Sequence, residues 1–369
     1  MVFVLIGILV SFFDFKLFEA GPKAGFVRPL AELTLLLVLF VDASTINLRR
    51  LNADKFLPIR MLGIGLPITM VFGSLAAIWL FPEEPVVVMI LLALMLSPTD
   101  AALGQAVVTS AHVPLRIRQT INVESGLNDG IALPPILICI AFLSDSNGQT
   151  IDTRYWGMFT LKQFVLGPAA GAAVGWLGGW LVDKSSKKGW MNHTFQMLAS
   201  LAIAILAYSV AEYFHGNGFI AAYFAGMLLG THTESIRERI REFGEAESQV
   251  MILFIFLLFG MILIPFSYPF WDWRALVYAV LSLSLIRMLP VYLSLMGSGL
   301  ETRAVWFMGW FGPRGIASVL YLILAIIALG TDGYDRLISV VSLTVLLSVF
   351  AHGISAVPYS GIFTSHSAK

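Results

Sequence analysis

The run Leu91-Leu-Ala-Leu-Met-Leu-Ser97-Pro98-Thr99-Asp100-Ala101-Ala102 sets a proline, two hydroxyls and a carboxylate in the middle of an apolar stretch. Pro98 removes a backbone donor and clashes with the preceding turn, so a helix formed by the leucines breaks here. Ser97, Thr99 and the carbonyls freed by the break can coordinate a cation, and Asp100 supplies charge. The plainer reading is a proline kink with a satisfied Asp, but a carboxylate in hydrocarbon needs a reason. A second interruption stands far down the chain. Phe307-Met-Gly309-Trp-Phe-Gly312-Pro313-Arg314-Gly315-Ile316-Ala317-Ser318 packs Gly309, Gly312, Gly315 and Pro313 into seven residues. Two interrupted helices at corresponding positions of two halves are the sequence sign of an inverted-repeat secondary transporter with its ion site at mid-membrane.

The composition agrees. Of 369 residues 58% are hydrophobic and 12% charged, against about 25% charged in an average soluble domain. With mean hydropathy at +0.83, a water-soluble globular enzyme is excluded. Twelve apolar segments can be marked: 2–13, 30–46, 58–81, 86–110 with its interruption, 121–144, 160–182, 194–214, 217–230, 249–267, 273–296, 303–329 with its interruption, and 337–357. At roughly 20 residues each they fill about 240 positions. Runs such as Ile252 to Ile264 are apolar on every face, unlike the alternating strands of a membrane barrel. The expectation is an all-α polytopic membrane protein of about 12 helices, with no soluble domain after the last.

Lys+Arg 23 against Asp+Glu 23 leaves no net charge and no hint of nucleic acid as a partner. The lone Cys139 excludes a disulfide framework and a thiolate metal site. The N-terminus has no basic region or small-residue cleavage site, so the first segment is not a signal peptide. Loop charges orient the chain. If the loop after segment two is cytoplasmic, the inner side holds Arg49, Arg50, Lys55, Arg60, Arg116, Arg118, Lys184, Lys187, Lys188, Arg237, Arg239, Arg241, Arg303 and Lys369. The other side holds Lys16, Lys23, Arg28, Arg154, Lys162, Arg274 and Arg336. This two-to-one bias places both termini in the cytoplasm, as in a multi-pass protein of the cell membrane. The longest loop, Thr231 to Gln249, reads as a short surface helix with arginines set for i,i+3 pairing.

Polar residues inside the apolar segments carry the chemistry. Asn122-Val-Glu124-Ser125-Gly126-Leu127-Asn128-Asp129-Gly130 gives segment five two edges. Ser125 and Asp129 share one stripe, Glu124 and Asn128 the next. The first edge can bind an ion; Glu124 on the second can pair with a buried arginine. Arg287 and Arg314 belong to no loop, and an arginine at membrane depth faces a partner or a watery cavity. Arg314 can offset helix C-ends at the break or tune the site's field. Asp42, late in segment two, is either an ion ligand or a cap for the turn carrying Arg49 and Arg50. There is no His-Glu-x-x-His for zinc and no Gly-x-Gly-Asp for an intramembrane aspartyl protease, so an enzyme is not expected.

At these residues the chain resembles the monovalent cation:proton antiporters, the bacterial sodium/proton antiporters and animal sodium/proton exchangers, over essentially its whole length. Glu124 to Gly130 resembles the Asn-Asp motif of the electroneutral branch, Thr99-Asp100 the helix-break motif, and Phe40-Val41-Asp42 the usual Phe-Glu position. Gly218 to Ala222 with Gly226, Gly312 to Gly315, and His352 to Ser355 are further similar stretches. Here Pro98 precedes the Thr-Asp pair where many members have proline after it, and Asp42 is one methylene shorter than Glu. The resemblance implies the inverted-repeat antiporter fold, usually of thirteen spans, with segment one in the place of the second span and the first missing. It implies one transporter domain over 1–369, with core-bundle helices about 58–144 and 273–357 and dimer or scaffold helices about 2–46 and 160–267, assembled as a homodimer in the bilayer.

For the site, the resemblance implies Asp129 as the exchange carboxylate, with Asp100, Ser125, Asp42 and the Thr99 backbone as further ligands of a monovalent cation. Glu124 would pair with Arg287, while Asn128 and Arg314 complete the polar motif and Pro98, Gly312 and Pro313 make the breaks. The implied activity is exchange of sodium, or lithium or potassium, for protons by alternating access, without a cofactor. A proton-uncoupled cation channel and an organic-anion symporter of similar fold are the alternatives. Burial disfavours a charged carboxylate and a bound cation restores it, so proton and cation compete for Asp129. Hard oxygen ligands suit the alkali ions, and no His or Cys cluster points to a transition metal.

Overall fold

A computed structural model describes residues 1–13, 25–45, 56–100, 103, 107, 110, 112–145, 153–229 and 234–360. The basic residues Lys16, Lys23, Arg49, Arg50, Lys55 and Lys369 used for orientation lie outside them, as do Ala101, Ala102 and the start of the loop at Thr231. All regular elements among the described residues are helical. In chain order they are α1 (Val2–Ser11), α2 (Val27–Thr45), α3 (Phe56–Leu80, with a π-helical turn at Met61–Gly65), α4 (Val86–Met95), α5 (Leu115–Asp145), α6 (Thr153–Lys187) and α7 (His193–Tyr213). Then follow α8 (Gly218–Leu229), α9 (Glu234–Leu258, running on through a π-helical turn at Phe259–Leu263), α10 (Trp273–Leu283), α11 (Leu285–Leu295), α12 (Thr302–Trp310), α13 (Ile316–Leu329) and α14 (Asp335–Ser360).

Seven helical stretches among the described residues are long and apolar enough to cross a bilayer, and Val2–Ser11, Val86–Met95, Gly218–Leu229 and Ile316–Leu329 are shorter apolar helices. The apolar segments therefore do not each yield a full-length apolar helix. Segments four and eleven are divided by their breaks, and α2 carries Arg28, Glu32 and Asp42. Two elements depart from the sequence reading. The charged stretch after Thr233 is not a separate surface helix: Glu234–Leu258 is one helix leading into the next span. Segment ten is not continuous either. It breaks at Ser284 (φ −114, ψ −98) between α10 and α11, where the Ser284 hydroxyl, at 2.6 Å, shares Val280 O with the Ser284 N–H, at 3.1 Å, a back-bond that bends helices.

The chain forms two compact units. One comprises Met1–Arg28, Lys55–Ser144 and Phe254–Lys369, the other Pro29–Asp54 and Asp145–Leu253. In the first, α1 lies directly against the π-helical turn of α9. A Cβ on Gly7 would meet Leu257 O and one on Gly260 would meet Val4 O, so paired glycines let the two backbones touch, the close approach that lipid-embedded helices use. In the second unit, α8 is buried nearly all round, which suits a helix apolar on every face. Gly171 and Gly175 of α6 pack on the backbone of Ala221 and Ala225, and Gly226 packs on Phe40 O of α2.

Candidate functional site

Both interruptions lie in the first unit, and they interlock. The α4 helix ends at Met95, and Leu96 to Asp100 continue as irregular chain; α12 ends at Trp310, and Phe311 to Gly315 unwind before α13 begins. The two unwound strands meet backbone to backbone, Asp100 N donating to Pro313 O at 2.9 Å. Each strand then supplies the charge that the other's helix end lacks. Asp100 Oδ2 accepts from Ile316 N at 2.8 Å, a carboxylate cap on α13 borrowed from another element. Arg314 Nη1 donates to Ser97 O at 2.7 Å and Pro98 O at 3.1 Å, placing a cation at the C-terminal end of α4. Ser318 Oγ adds a bond to Met95 O at 2.7 Å.

The polar stretch of α5 closes on the same place. Ser125 Oγ donates to Thr99 O at 2.6 Å, and Asn128 Nδ2 donates to Thr99 Oγ1 at 2.6 Å. Thr99 Oγ1 lies 3.3 Å from Glu124 Oε2, to which it donates. The two edges of α5 thus converge on one residue: Ser125 holds the carbonyl of Thr99, Asn128 and Glu124 its hydroxyl. That hydroxyl is committed to the protein, so the contribution Thr99 can make to a cation is its carbonyl oxygen.

Glu124 also takes both arms of Arg287, with Nη1 to Oε1 at 2.8 Å and Nη2 to Oε2 at 2.9 Å. Both side chains are 1% exposed, and a planar fork on a carboxylate is the strong form of this contact. Gly312 has a specific part in it. A Cβ there would meet the Arg287 guanidinium, at 2.7 Å from Nη2, so the glycine makes room for the ion pair. Gly315 does the same for Asp100, whose Cγ lies 2.7 Å from where a Cβ would stand.

Asp129 is buried one helical turn beyond Ser125 on the same stripe. Its carbonyl accepts the Tyr321 hydroxyl at 3.0 Å. Tyr321, together with Ser318 three residues before it, escaped the sequence reading, because a tyrosine in an apolar run is usually core. Pro134 and Pro135, inside α5, cannot donate to the carbonyls of Gly130 and Ile131 in the turn after Asp129. Asp42 stands near the end of α2, half-buried, in the other unit. Among the described residues the buried Asp, Glu, Lys and Arg side chains are Asp100, Glu124, Asp129, Arg287 and Arg314. At their ordinary charges these are three carboxylates and two guanidiniums, one formal negative charge in excess among the described residues.

A family model described as "Sodium/hydrogen exchanger, transmembrane" matches residues 1–360. The chain belongs to this family. It is a multi-pass membrane protein of a transporter family rather than an enzyme. It is similar to the K(+)/H(+) antiporter NhaP of Alkalimonas amylolytica, 25% identical over 97% of this chain and 61% of that one. To the K(+)/H(+) antiporter NhaP2 of Shewanella sp. (strain ANA-3) it is 25% identical over 79% of this chain and 50% of the relative. The Na(+)/H(+) antiporter of Schizosaccharomyces pombe is 25% identical over 75% of this chain and 65% of its own. The chain thus spans between half and two thirds of the length of these curated relatives. Its fold is that of the sodium proton antiporter MjNhaP1 of Methanocaldococcus jannaschii, with a TM-score of 0.77 at 17% identity, covering 100% of this chain and 92% of that one.

Proposed function

We infer that the protein exchanges one monovalent cation for one proton at Asp129, by alternating access of a single buried site. What carries this is the one formal carboxylate charge in excess among the described buried ionisable groups. A buried net charge in lipid is strongly disfavoured, so the cluster calls for one positive charge at a time, and a proton or an alkali ion meets that need equally. The oxygens this reading assigns to the ion, the Asp129 carboxylate, the Thr99 carbonyl and the Ser125 hydroxyl, are the hard donors that suit sodium, lithium or potassium. Asp100, capping α13, contributes field more than direct ligation, and Asp42 is a further candidate ligand. The breaks make the site compliant, since irregular backbone at membrane depth is tolerated where it lines a cavity.

Sodium is the first candidate cargo, with potassium next because the bacterial relatives are named for it. Both termini lie in the cytoplasm on this reading, the host bilayer is the cell membrane, and the working form is a homodimer. The test is reconstitution into proteoliposomes. Sodium, potassium or lithium added separately should collapse an imposed pH gradient, and a potassium and valinomycin diffusion potential should leave sodium-driven proton flux unchanged. Asp129→Asn, which fills the site without titrating, should abolish the flux while the protein still inserts. Near-normal activity in that variant refutes the assignment, and a clear voltage dependence refutes the one-for-one count.

A further inference from the structure

The break between α12 and α13 gives up ladder hydrogen bonds, and α14 replaces them. Arg314 N donates to Ser348 Oγ at 2.7 Å. Ser348 Oγ lies 3.2 Å from His352 Nδ1, and His352 Nε2 lies 2.9 Å from Trp310 O. A carbonyl oxygen only accepts, so Nε2 carries the hydrogen. In the neutral ring Nδ1 is then an acceptor, and the Ser348 hydroxyl, already accepting from Arg314, donates to it. Each member donates once and accepts once, in one direction, from the amide of Arg314 to the carbonyl of Trp310. The other neutral tautomer would bond Nδ1–H to Ser348 O at 3.0 Å, a contact the Nε2–H form leaves without a hydrogen, but it would set two lone pairs against each other at the shorter Nε2–Trp310 O contact and take the Nδ1 acceptor from the Ser348 hydroxyl. The His352 ring also rests against the Trp310 indole, centroids 4.9 Å apart, and Trp310 Nε1 donates to Ser355 Oγ at 3.0 Å. Ser348, His352 and Ser355, spaced i, i+4, i+7, form one face of α14.

We propose that Ser348 and His352 are positioning residues of the exchange site. Their chain spans the unwound residues 311–313 and fixes the backbone of Arg314, whose guanidinium holds Ser97 O and Pro98 O next to Thr99 and Asp100. Neither residue touches the cation, yet both set how well the carbonyl of Thr99 is placed for it. This rests on the cation-exchange reading above. Its functional consequence is a change in cation affinity rather than in turnover, because the relay shapes the binding geometry and takes no part in proton release.

The test uses the full chain in proteoliposomes, with sodium as the varied ion. One hydrogen bond's net contribution corresponds to about a five-fold change in an equilibrium constant. His352→Ala and Ser348→Ala should each raise the half-saturating sodium concentration about five-fold or more, with maximal rate within about two-fold of the unsubstituted protein. The double variant should be little worse than either single, as expected for residues acting as one unit. His352→Gln carries an amide donor and a carbonyl acceptor on neighbouring atoms, as the ring does, and should restore near-native half-saturation. An unchanged half-saturation in His352→Ala, or a Gln variant as impaired as Ala, overturns the proposal. A second measurement is independent of transport. The 15N spectrum of histidine-labelled protein at neutral pH, with the His352 signal identified by its loss in His352→Gln, should show the Nε2–H tautomer. The Nδ1–H form or an imidazolium there overturns the relay, whereas absence of sodium-driven flux in the unsubstituted protein overturns only the exchange reading.

Discussion

Replacing Glu124 by glutamine is the sharpest probe of what holds the crossing together. Glutamine keeps the shape and one acceptor. Its amide NH2 then faces a guanidinium N–H where a carboxylate oxygen accepted at 2.8 or 2.9 Å, and Arg287, 1% exposed, keeps a positive charge with no counter-charge on its fork. Breaking a buried pair from one side costs about 3–5 kcal/mol. At about 2 °C per kcal/mol for a chain of this size, the melting temperature in detergent should fall by roughly 6–10 °C. Arg287→Gln should do comparable damage, because it strands Glu124 instead. The double variant Glu124→Gln with Arg287→Gln removes both charges and lets two amides meet, so it should recover most of the loss, with a coupling of about 2 kcal/mol or more. Fluorescence-detected size exclusion after stepwise heating reads all four proteins. A Glu124→Gln protein melting within about 2 °C of the unsubstituted one, or a double variant as unstable as the sum of the singles, would refute the reasoning.

Gly315→Ala puts a methyl where the Asp100 carboxylate stands and should push it off Ile316 N; a charge-assisted bond of about 1.5–3 kcal/mol translates into a rise of about ten-fold or more in half-saturating cation, and native affinity in that variant would contradict the cap. At the turn between α3 and α4, burial lifts the Glu84 carboxyl above its ordinary range despite the nearby Arg336, with Glu83 and Asp335 pushing the same way as burial. Its folded form favours the proton, so its contribution to stability is present below the ordinary carboxylate range and lost as pH rises through the raised value. Glu84→Gln should therefore flatten the fall in melting temperature between mildly acidic and neutral pH, and an unchanged slope would place the dependence elsewhere.

Much of this was legible in the chain itself. An apolar run interrupted by Ser97-Pro98-Thr99-Asp100 and another by Gly312-Pro313-Arg314-Gly315 can only be broken helices in a membrane, because proline and glycine act on the backbone next to them and lipid offers no water to repair the damage. Helical spacing likewise put Ser125 with Asp129 and Glu124 with Asn128, a property of 3.6 residues per turn that needs no tertiary contact. Contacts across long separations in sequence were another matter. That both stripes of α5 converge on Thr99, that Gly312 makes room for Arg287, that Asp100 caps α13 while Arg314 closes α4, and that Ser348 and His352 bridge the second break all depend on which elements meet. The break at Ser284 and the continuity of α9 past its charged turns were hidden for a similar reason, since a single serine or a run of charged residues is compatible with either state until packing chooses. Local backbone chemistry is written residue by residue, so the sequence alone determined where the helices fail and which polar groups lie in lipid. Only the tertiary structure decided which group answers which, because a buried charge or an orphaned helix end takes its partner from whatever the fold brings within 3 Å.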